Sequence, residues 1–396
     1  MALLDIPLGK IDETDLQRLI TNEAAESLYI DYKRQSYGGS DSDRAEFLAD
    51  ISSFANTSGG DLVIGMVEDK GVPTAFSGLQ IDVDAEKRRL EEIARGGLEP
   101  RVRNISIHAI RRQDGTSVLI VRMPRSYAGP HRVTLKGRSR FYARASSGKY
   151  EPNVEELRGL FTGGAQLADR VRAFRAERLL RIAAGETPVP LAPESTKVVL
   201  HVVPAPAFSD ARLLDLVSTM VAGTHVPLPP RGSGGGNQYR VNLDGFVNYT
   251  SPPPGVGASY AQFFRNGIIE GVAELSRRRE GGGSYFVGPE FSKNIVAALR
   301  QYLSVLESYD TGLPVYALIS LCNAGQCRYR YIVDGTNGWN DTEPLLRDMV
   351  ALPELYIDSF SPDVPATLRP IFNILWNAFG FLRCDMYDEQ GGWKGG

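Results

Sequence analysis

Glu26-Ser-Leu-Tyr-Ile-Asp31-Tyr-Lys33 is answered downstream by Phe54-Ala-Asn-Thr-Ser-Gly-Gly-Asp-Leu-Val-Ile-Gly65, and these two stretches decide the fold of the first part of the chain. The first alternates as a strand does, with Leu28, Ile30 and Tyr32 on one face and Tyr29, Asp31 and Lys33 on the other. Asp31 and Lys33 are therefore expected to project together toward solvent or a cleft, with Glu26 where the preceding helix passes into the strand. The second stretch reads as a helix end, a glycine turn and a buried strand over 61–67. Glycines 59 and 60 stop the helix because glycine alone enters positive φ without steric cost. Glu68-Asp69 follows, so several carboxylates belong to one compact unit.

Residues 11–25 around this pair have helical spacing, through Ile11, Leu16, Leu19 and Ile20. The polar run Ser40 to Asp43 caps a helix reaching about Ala55, with Phe47, Leu48, Ile51 and Phe54 as its stripe. A charged helix over 84–95 comes next. Gln113-Asp114-Gly115 joins two alternating runs between Arg103 and Pro124, a hairpin signal. Arg132–Leu135 and Arg140–Ala145 form a second strand pair around Gly137, and Glu151–Phe161 a closing helix. Residues 165–183 then make a basic helix carrying Arg170, Arg172, Arg175, Arg178 and Arg181, and Gly185–Pro193 has the punctuation of a linker. Beyond it the sequence predicts strands at 197–203, 240–246 and 261–264, a Gly/Pro loop at 227–236, a turn at Pro252–Gly255 and a helix at 271–278. A helix at 290–308, a strand pair at 315–321 and 327–333, and a helix at 364–384 complete the chain. No internal repeat is visible. The expected organisation is a first domain over 1–164, a basic helix and linker over 165–193, and a mixed α/β domain over 194–396.

A chain of 396 residues exceeds one ordinary core, which agrees with two domains. No run of eighteen apolar residues exists, so no membrane span is expected. The N-terminus lacks a basic region followed by an apolar core, so no secretory signal is expected. Three cysteines, Cys322, Cys327 and Cys384, cannot all pair within the chain. They point to a reducing cytoplasm and to buried free thiols in preference to a zinc site. The net charge of −3 hides a polarity. Residues 1–100 hold twenty Asp or Glu against ten Lys or Arg, whereas residues 101–150 hold twelve Lys or Arg and one acid, Asp114. Tyr127, Phe141, Tyr142 and Tyr150 are interleaved with that positive charge, a pattern that points to nucleic acid.

The glycine loops do not carry an ATPase reading. A phosphate-binding loop needs Lys-Ser/Thr after its last glycine, but Gly65 is followed by Met66-Val67 and the Gly232–Gly236 loop also lacks the pair. No nucleotide cofactor is expected. The four histidines, His108, His131, His201 and His225, occur without a Gly-x-Ser-x-Gly elbow, so no nucleophile triad is indicated. Carboxylates remain. Mg or Mn takes hard oxygen ligands and activates water beside a phosphate. Glu26, Asp31, Glu68 and Asp69 could supply such ligands, and Lys33 could hold the scissile phosphate. In the alternative reading these are ordinary acids at strand ends, with Glu26 capping or pairing with Lys33.

Glu26-Ser-x-x-x-Asp31-x-Lys33, Phe54-Ala-Asn-Thr-x-Gly-Gly60 and Ile64-Gly65, followed by Arg140-Phe-Tyr-Ala-Arg144-Ala-Ser-Ser147, closely resemble the AlbA-like domain of Schlafen proteins and their bacterial relatives, over residues 11 to 162. The resemblance implies an α+β lobe that binds nucleic acid, RNA before DNA, and cleaves structured RNA such as tRNA with three metal-binding acids. Two of these acids map onto Glu26 and Asp31, and the third onto Asp69 or, with a one-residue shift, Glu68. Asp31 stands where glutamate is more usual, one methylene shorter. Because one such lobe is recognisable, a homodimer is expected to supply the second. The surface expected to read the backbone carries Arg132, Lys136, Arg138, Arg140 and Arg144. The second reading is a non-catalytic DNA-binding regulator whose C-terminal domain senses a signal.

Overall fold

The computed structural model describes the chain except residues 1–2, 103–104, 138, 209–212, 217–225, 231–236, 251–257, 276, 279–283, 333–338 and 396. Arg138, His225, the glycine loop at 232–236 and the turn at 252–255 therefore lie outside the described residues. The architecture is α+β, and the chain divides into two compact units, Met1–Ala168 and Asp169–Gly396.

The first unit is built on a four-stranded sheet in the order β1 (Ile30–Lys33), β2 (Gly60–Ile64), β7 (Ser117–Met123), β6 (Ser106–Arg111). β1 and β2 run parallel, with Asp31 beside Leu62, and the helix α2 (Asp41–Asn56) connects them. Ser40 caps α2 in a reciprocal box with Asp43, as the polar run implies. Because β-strand side chains alternate, the two faces of β2 and β7 meet different partners. Leu62, Ile64, Leu119, Val121 and Met123 pack under Phe47, Leu48, Ile51 and Phe54 of α2. Leu90 and Ala94 of the helix α3 (Val83–Gly97) join that cluster. On the other face Val63, Val118 and Ile120 meet Tyr32 and, from the helix α1 (Glu13–Thr21), Leu16 and Leu19. The cross-strand pair Asp61–Arg122 is buried on that face. Arg122 grips Asp61 through Nε at 2.8 Å and Nη2 at 2.9 Å and donates to the Leu3 and Ile6 carbonyls, so it pins the N-terminal segment to the sheet.

A hairpin of β3 (Met66–Asp69) and β4 (Val72–Phe76) leaves the sheet after Gly65, whose φ of +108° suits glycine. Beyond β7 the chain forms β8 (Arg132–Val133) and β9 (Arg140–Phe141), paired with each other and with β5 (Leu98–Glu99). The small hairpin β10 (Ala143–Ala145) and β11 (Gly148–Tyr150) follows. Val154–Ala183, α4, is a single helix where the sequence reading expects two, and the division between the units falls inside it.

The second unit carries an eight-stranded sheet in which β13 (Asn237–Val241), β14 (Gly245–Thr250), β15 (Ser259–Phe264), β16 (Ile269–Leu275) and β12 (Thr196–Pro204) lie side by side in that order. One face is covered by the helices Gly288–Ser308 and Val364–Asn377, and the other by Leu179 and Ile182 of α4. Three sequence expectations change here. Residues 271–278 are not a helix: Ile269–Leu275 is a strand, β16, lying between β12 and β15 (Ser259–Phe264). The strands at Val315–Cys322 and Cys327–Ile332 do not pair with each other, because the first joins the eight-stranded sheet and the second a separate four-stranded one. The last helix ends at Asn377. The three cysteines are buried and free, and burial pushes the Cys322 and Cys384 thiols up to about 12. Among the described residues no helix is long and apolar enough to cross a membrane.

Candidate nucleic-acid interface

The acids and bases that are segregated in sequence meet in space. Of the twelve basic residues between 101 and 150, six pair with acids of the first hundred residues: Arg112 with Glu13, Arg122 with Asp61, Arg132 with Glu99, Lys136 with Asp41, Arg144 with Asp31 and Lys149 with Asp50. Much of the apparent positive field is therefore internal wiring.

The motif Phe54-Ala-Asn-Thr-Ser-Gly-Gly is part of that wiring. Asn56, buried at the end of α2, donates to the carbonyls of His131 and Tyr142, both at 2.9 Å, and accepts the His131 N–H at 2.7 Å. These two residues are the feet of the β8–β9 hairpin, so one side chain holds both strands where they leave the core. Thr57 accepts the Arg144 N–H at 2.9 Å, which anchors the next strand. A Cβ on Gly59 would stand 2.7 Å from the Arg125 nitrogen and one on Gly60 2.3 Å from the Phe54 ring, so both glycines serve close backbone approach. Replacing Asn56 by alanine leaves the buried His131 N–H and two carbonyls unpaired, which is expected to cost about 2–3 kcal/mol. Thermal unfolding of the variant measures it, and an unchanged midpoint contradicts the clamp.

The hairpin so held carries Arg132, Lys136 and Arg140 at the surface. Each makes an exposed ion pair, with Glu99, Asp41 and Glu151 respectively, and Arg132 also donates to Ser139. Exposed pairs of this kind contribute little and are screened by salt, so a phosphate can take the place of the acid. Arg144 corrects the sequence expectation. Its side chain is fully buried, so it cannot read a backbone from the surface. Its guanidinium donates to Asp31 at 2.6 Å and to the Ser27 carbonyl at 2.9 Å and lies 4.3 Å over the Phe54 ring. His131 is equally inward, with Nδ1 2.6 Å from the Pro100 carbonyl oxygen, and burial lowers its pKa.

The acids of the opening stretch come together only in part. Asp31 is buried, and its two oxygens meet Lys33 at 2.7 Å and Arg144 at 2.6 Å. Burial raises its pKa, but the two cations outweigh burial and hold the carboxyl below its ordinary value. Burial and the neighbouring Asp31 raise Glu26, against the Tyr32 N–H that its Oε1 accepts at 3.1 Å. Asp50, which the sequence reading passed over, continues the array. It meets Lys149 at 2.7 Å and Lys33 at 3.9 Å and accepts the Tyr37 hydroxyl at 2.6 Å, and burial raises its pKa against both lysines. Its signal in the sequence was an acid in the buried stripe of α2, between Phe47 and Ile51. Burial lowers Lys33, but Asp50 and Asp31 outweigh burial and raise it.

Glu68 and Asp69 sit on the exposed β3–β4 hairpin. Glu68 accepts the Gly71 N–H at 2.5 Å and closes the turn, and the Gly71 carbonyl accepts the Glu26 N–H at 2.7 Å. The hairpin therefore abuts Glu26, yet among the described residues no group of three His, Cys, Asp or Glu is arranged to hold a metal ion. With both Asp31 oxygens bound by cations, this donor set does not fit Mg or Mn as it stands.

Comparison with known proteins adds four findings. No curated protein matches the chain. The DIP2311 protein of Corynebacterium diphtheriae is 16% identical at a TM-score of 0.26, over 38% of this chain and 29% of that one, so the match spans less than a third of the relative's length. The N-terminal domain of a putative ATP-dependent DNA helicase RecG-related protein of Nitrosomonas europaea is 22% identical at a TM-score of 0.27, over 36% of this chain and 94% of that domain. Residues 26–153, which hold both the opening stretch and the clamped hairpin, match the family model described as Schlafen, AlbA_2.

Proposed function

We propose that the first unit binds nucleic acid through its phosphate backbone, with the β8–β9 hairpin as the contacting element. The observation that carries this reading is the Asn56 clamp: one buried amide fixes both feet of a hairpin whose exposed side chains are Arg132, Lys136 and Arg140. A basic ribbon held rigidly outside the core contacts phosphates without paying to order itself, and such contacts position the strand and carry no base sequence. The Schlafen AlbA_2 match supports the same class of ligand. Within that class the reading takes structured RNA as the first target and duplex DNA as the alternative. The combined variant Arg132→Glu, Lys136→Glu, Arg140→Glu is expected to weaken binding of tRNA. It should also flatten the dependence of log affinity on log salt by about 0.7–0.9 per lost contact. Fluorescence anisotropy at several salt concentrations measures both, and an unaltered slope removes the hairpin from the interface.

A second reading, metal-dependent cleavage of structured RNA by a homodimer, is favoured by one observation: Glu26 and Asp31 are neighbours, and the hairpin bearing Glu68 and Asp69 abuts Glu26. It requires Asp31 to leave Lys33 and Arg144. Incubating tRNA with the protein and Mg or Mn separates the two readings. Intact tRNA is expected from the binding reading, and cleavage that Glu26→Ala abolishes would establish the second.

A further inference from the structure

α4 carries Gly159, Gly163 and Gly164 within its first turns, although a glycine inside a helix is a poorer choice than alanine. Packing explains one of them. A Cβ on Gly164 would stand 2.8 Å from the Tyr127 carbonyl oxygen, so that glycine admits the loop after β7. Gly159 and Gly163 have no such reason, since a Cβ on either would meet nothing within 4 Å. Both instead line a shallow, open depression together with Arg125, Ser126 and Tyr127. The Arg125 guanidinium lies 5.3 Å over the Tyr127 ring. Asn56, Gly129 and Pro130 close the other side, and Pro130 leads directly into His131 and the basic hairpin.

We infer that this cavity is a nucleotide subsite, which seats one phosphate and its sugar from the strand lying along the β8–β9 hairpin. This rests on the nucleic-acid reading of the first unit. Four features point to that occupant. Arg125 offers a cation already oriented by stacking on an aromatic ring, and Ser126, whose hydroxyl accepts the Ala128 N–H at 3.3 Å, is a second polar residue of the lining. The bare backbone at Gly159 and Gly163 lets a flat or bulky group approach the helix, where any side chain would fill the space. Finally, the cavity is contiguous through Gly129-Pro130 with the foot of the hairpin that Asn56 holds, so a strand on the hairpin reaches it without a break.

The test uses the full chain and a short fluorescein-labelled single-stranded RNA, with free nucleoside monophosphate as a second probe. Gly163→Leu fills the cavity with a good helix former and is expected to weaken RNA binding about tenfold while leaving the circular dichroism spectrum intact. Arg125→Gln should weaken binding and flatten the salt dependence by about one contact. Gly163→Ala should raise the melting temperature, which shows that packing does not require this glycine. Displacement of the RNA by nucleoside monophosphate in the wild type, lost in Gly163→Leu, supports the subsite. If Gly163→Leu and Arg125→Gln bind RNA as the wild type does while the hairpin reversal weakens it, the subsite is overturned and the hairpin reading stands. If the wild type binds neither probe, both fall.

Discussion

Arg144→Ala is expected to lower the stability of the first unit by about 3–5 kcal/mol, the scale for breaking a buried pair from one side. The side chain is fully buried, and its removal leaves the Asp31 carboxylate with Lys33 as its one remaining ion-pair partner and takes the donor from the Ser27 carbonyl. It also takes the cation from the face of Phe54. Arg144→Lys keeps the charge but cannot span Asp31 and Ser27 with one planar fork, so an intermediate loss is expected. Adding Asp31→Asn to Arg144→Ala should recover part of the loss, because the stranded charge is then removed. The chain offers a clean readout. Its three tryptophans, Trp339, Trp376 and Trp393, all lie in the second unit. Urea unfolding followed by circular dichroism should therefore shift for Arg144→Ala while the tryptophan transition stays in place. Equal stability of variant and wild type would show that the pair holds nothing together.

The same experiment bears on chemistry. A carboxylate whose two oxygens are bound to cations in the folded state is a structural acid, and its depressed pKa reports that work. An acid held for metal binding would keep lone pairs facing the ligand. Glu26 is the more available of the two, with one oxygen on the Tyr32 N–H. The length of Asp31, one methylene short of glutamate, suits a side chain that reaches sideways to Lys33 on its own strand and to Arg144 on β10.

How much of this was legible follows from which interactions are local. The strand ending at Lys33, the Ser40–Asp43 cap and the glycine stop at 59–60 are set by near neighbours, so sequence displays them. The strand starts only at Ile30, however, and buries both Asp31 and Tyr32, where the alternation from Ser27 implied one face each. The destination of Asp31 and Lys33 is not local. Their face meets Asp50 of α2 and Arg144 of β10, which are distant in sequence, so a predicted projection toward solvent or a cleft became a buried array. Charge segregation overstated the free positive surface for the same reason. The acids of residues 1–100 and the bases of 101–150 are complementary halves of one core and its rim, and sequence shows only that they are apart. Within 271–278, the strand β16 is buried on both faces between β12 and β15, so it has no two-residue period to distinguish it from a buried helix. Gly271 has its own reason: a Cβ there would meet the Tyr302 hydroxyl at 2.4 Å. The glycines of α4 look like helix breakers in sequence, and their use is visible only with the cavity in place.

Glu270→Gln is expected to cost the second unit about 3–5 kcal/mol at neutral pH, and the loss should shrink in acid. Glu270 is fully buried on β16. Both oxygens accept from Arg178 of α4 at 2.8 Å, while Tyr260 donates to one at 2.9 Å and the Nε2 of His201 lies 3.0 Å from the other. Arg178 is also 5.2 Å from the centre of the Phe264 ring. Glutamine keeps the shape but leaves the guanidinium without a counter-charge and turns an amide N–H toward donors. Burial pushes the Glu270 carboxyl up, yet Arg178 and His201 prevail and bring it from the ordinary 4.5 down to about 2. A carboxylate with a depressed folded-state pKa stabilises fully above the unfolded value and loses that contribution as pH falls through the folded one. The ionised pair should therefore hold its full contribution above about pH 4.5, on the order of 3 kcal/mol at 1.36 kcal/mol per unit, and lose it between about pH 4.5 and 2. Tryptophan-monitored unfolding of wild type and Glu270→Gln at pH 7 and pH 3 measures the difference directly. The gap between the two proteins should narrow at pH 3 because the unfolded wild type then binds a proton at Glu270 that the folded state does not, whereas the variant has no such proton to bind. A gap of the same size at both pH values would mean that Glu270 contributes by shape alone. The double replacement Glu270→Leu, Arg178→Leu then decides what the charge is for. If the doubly apolar core is as stable as the wild type, the pair specifies where α4 docks on the sheet and adds no net stability.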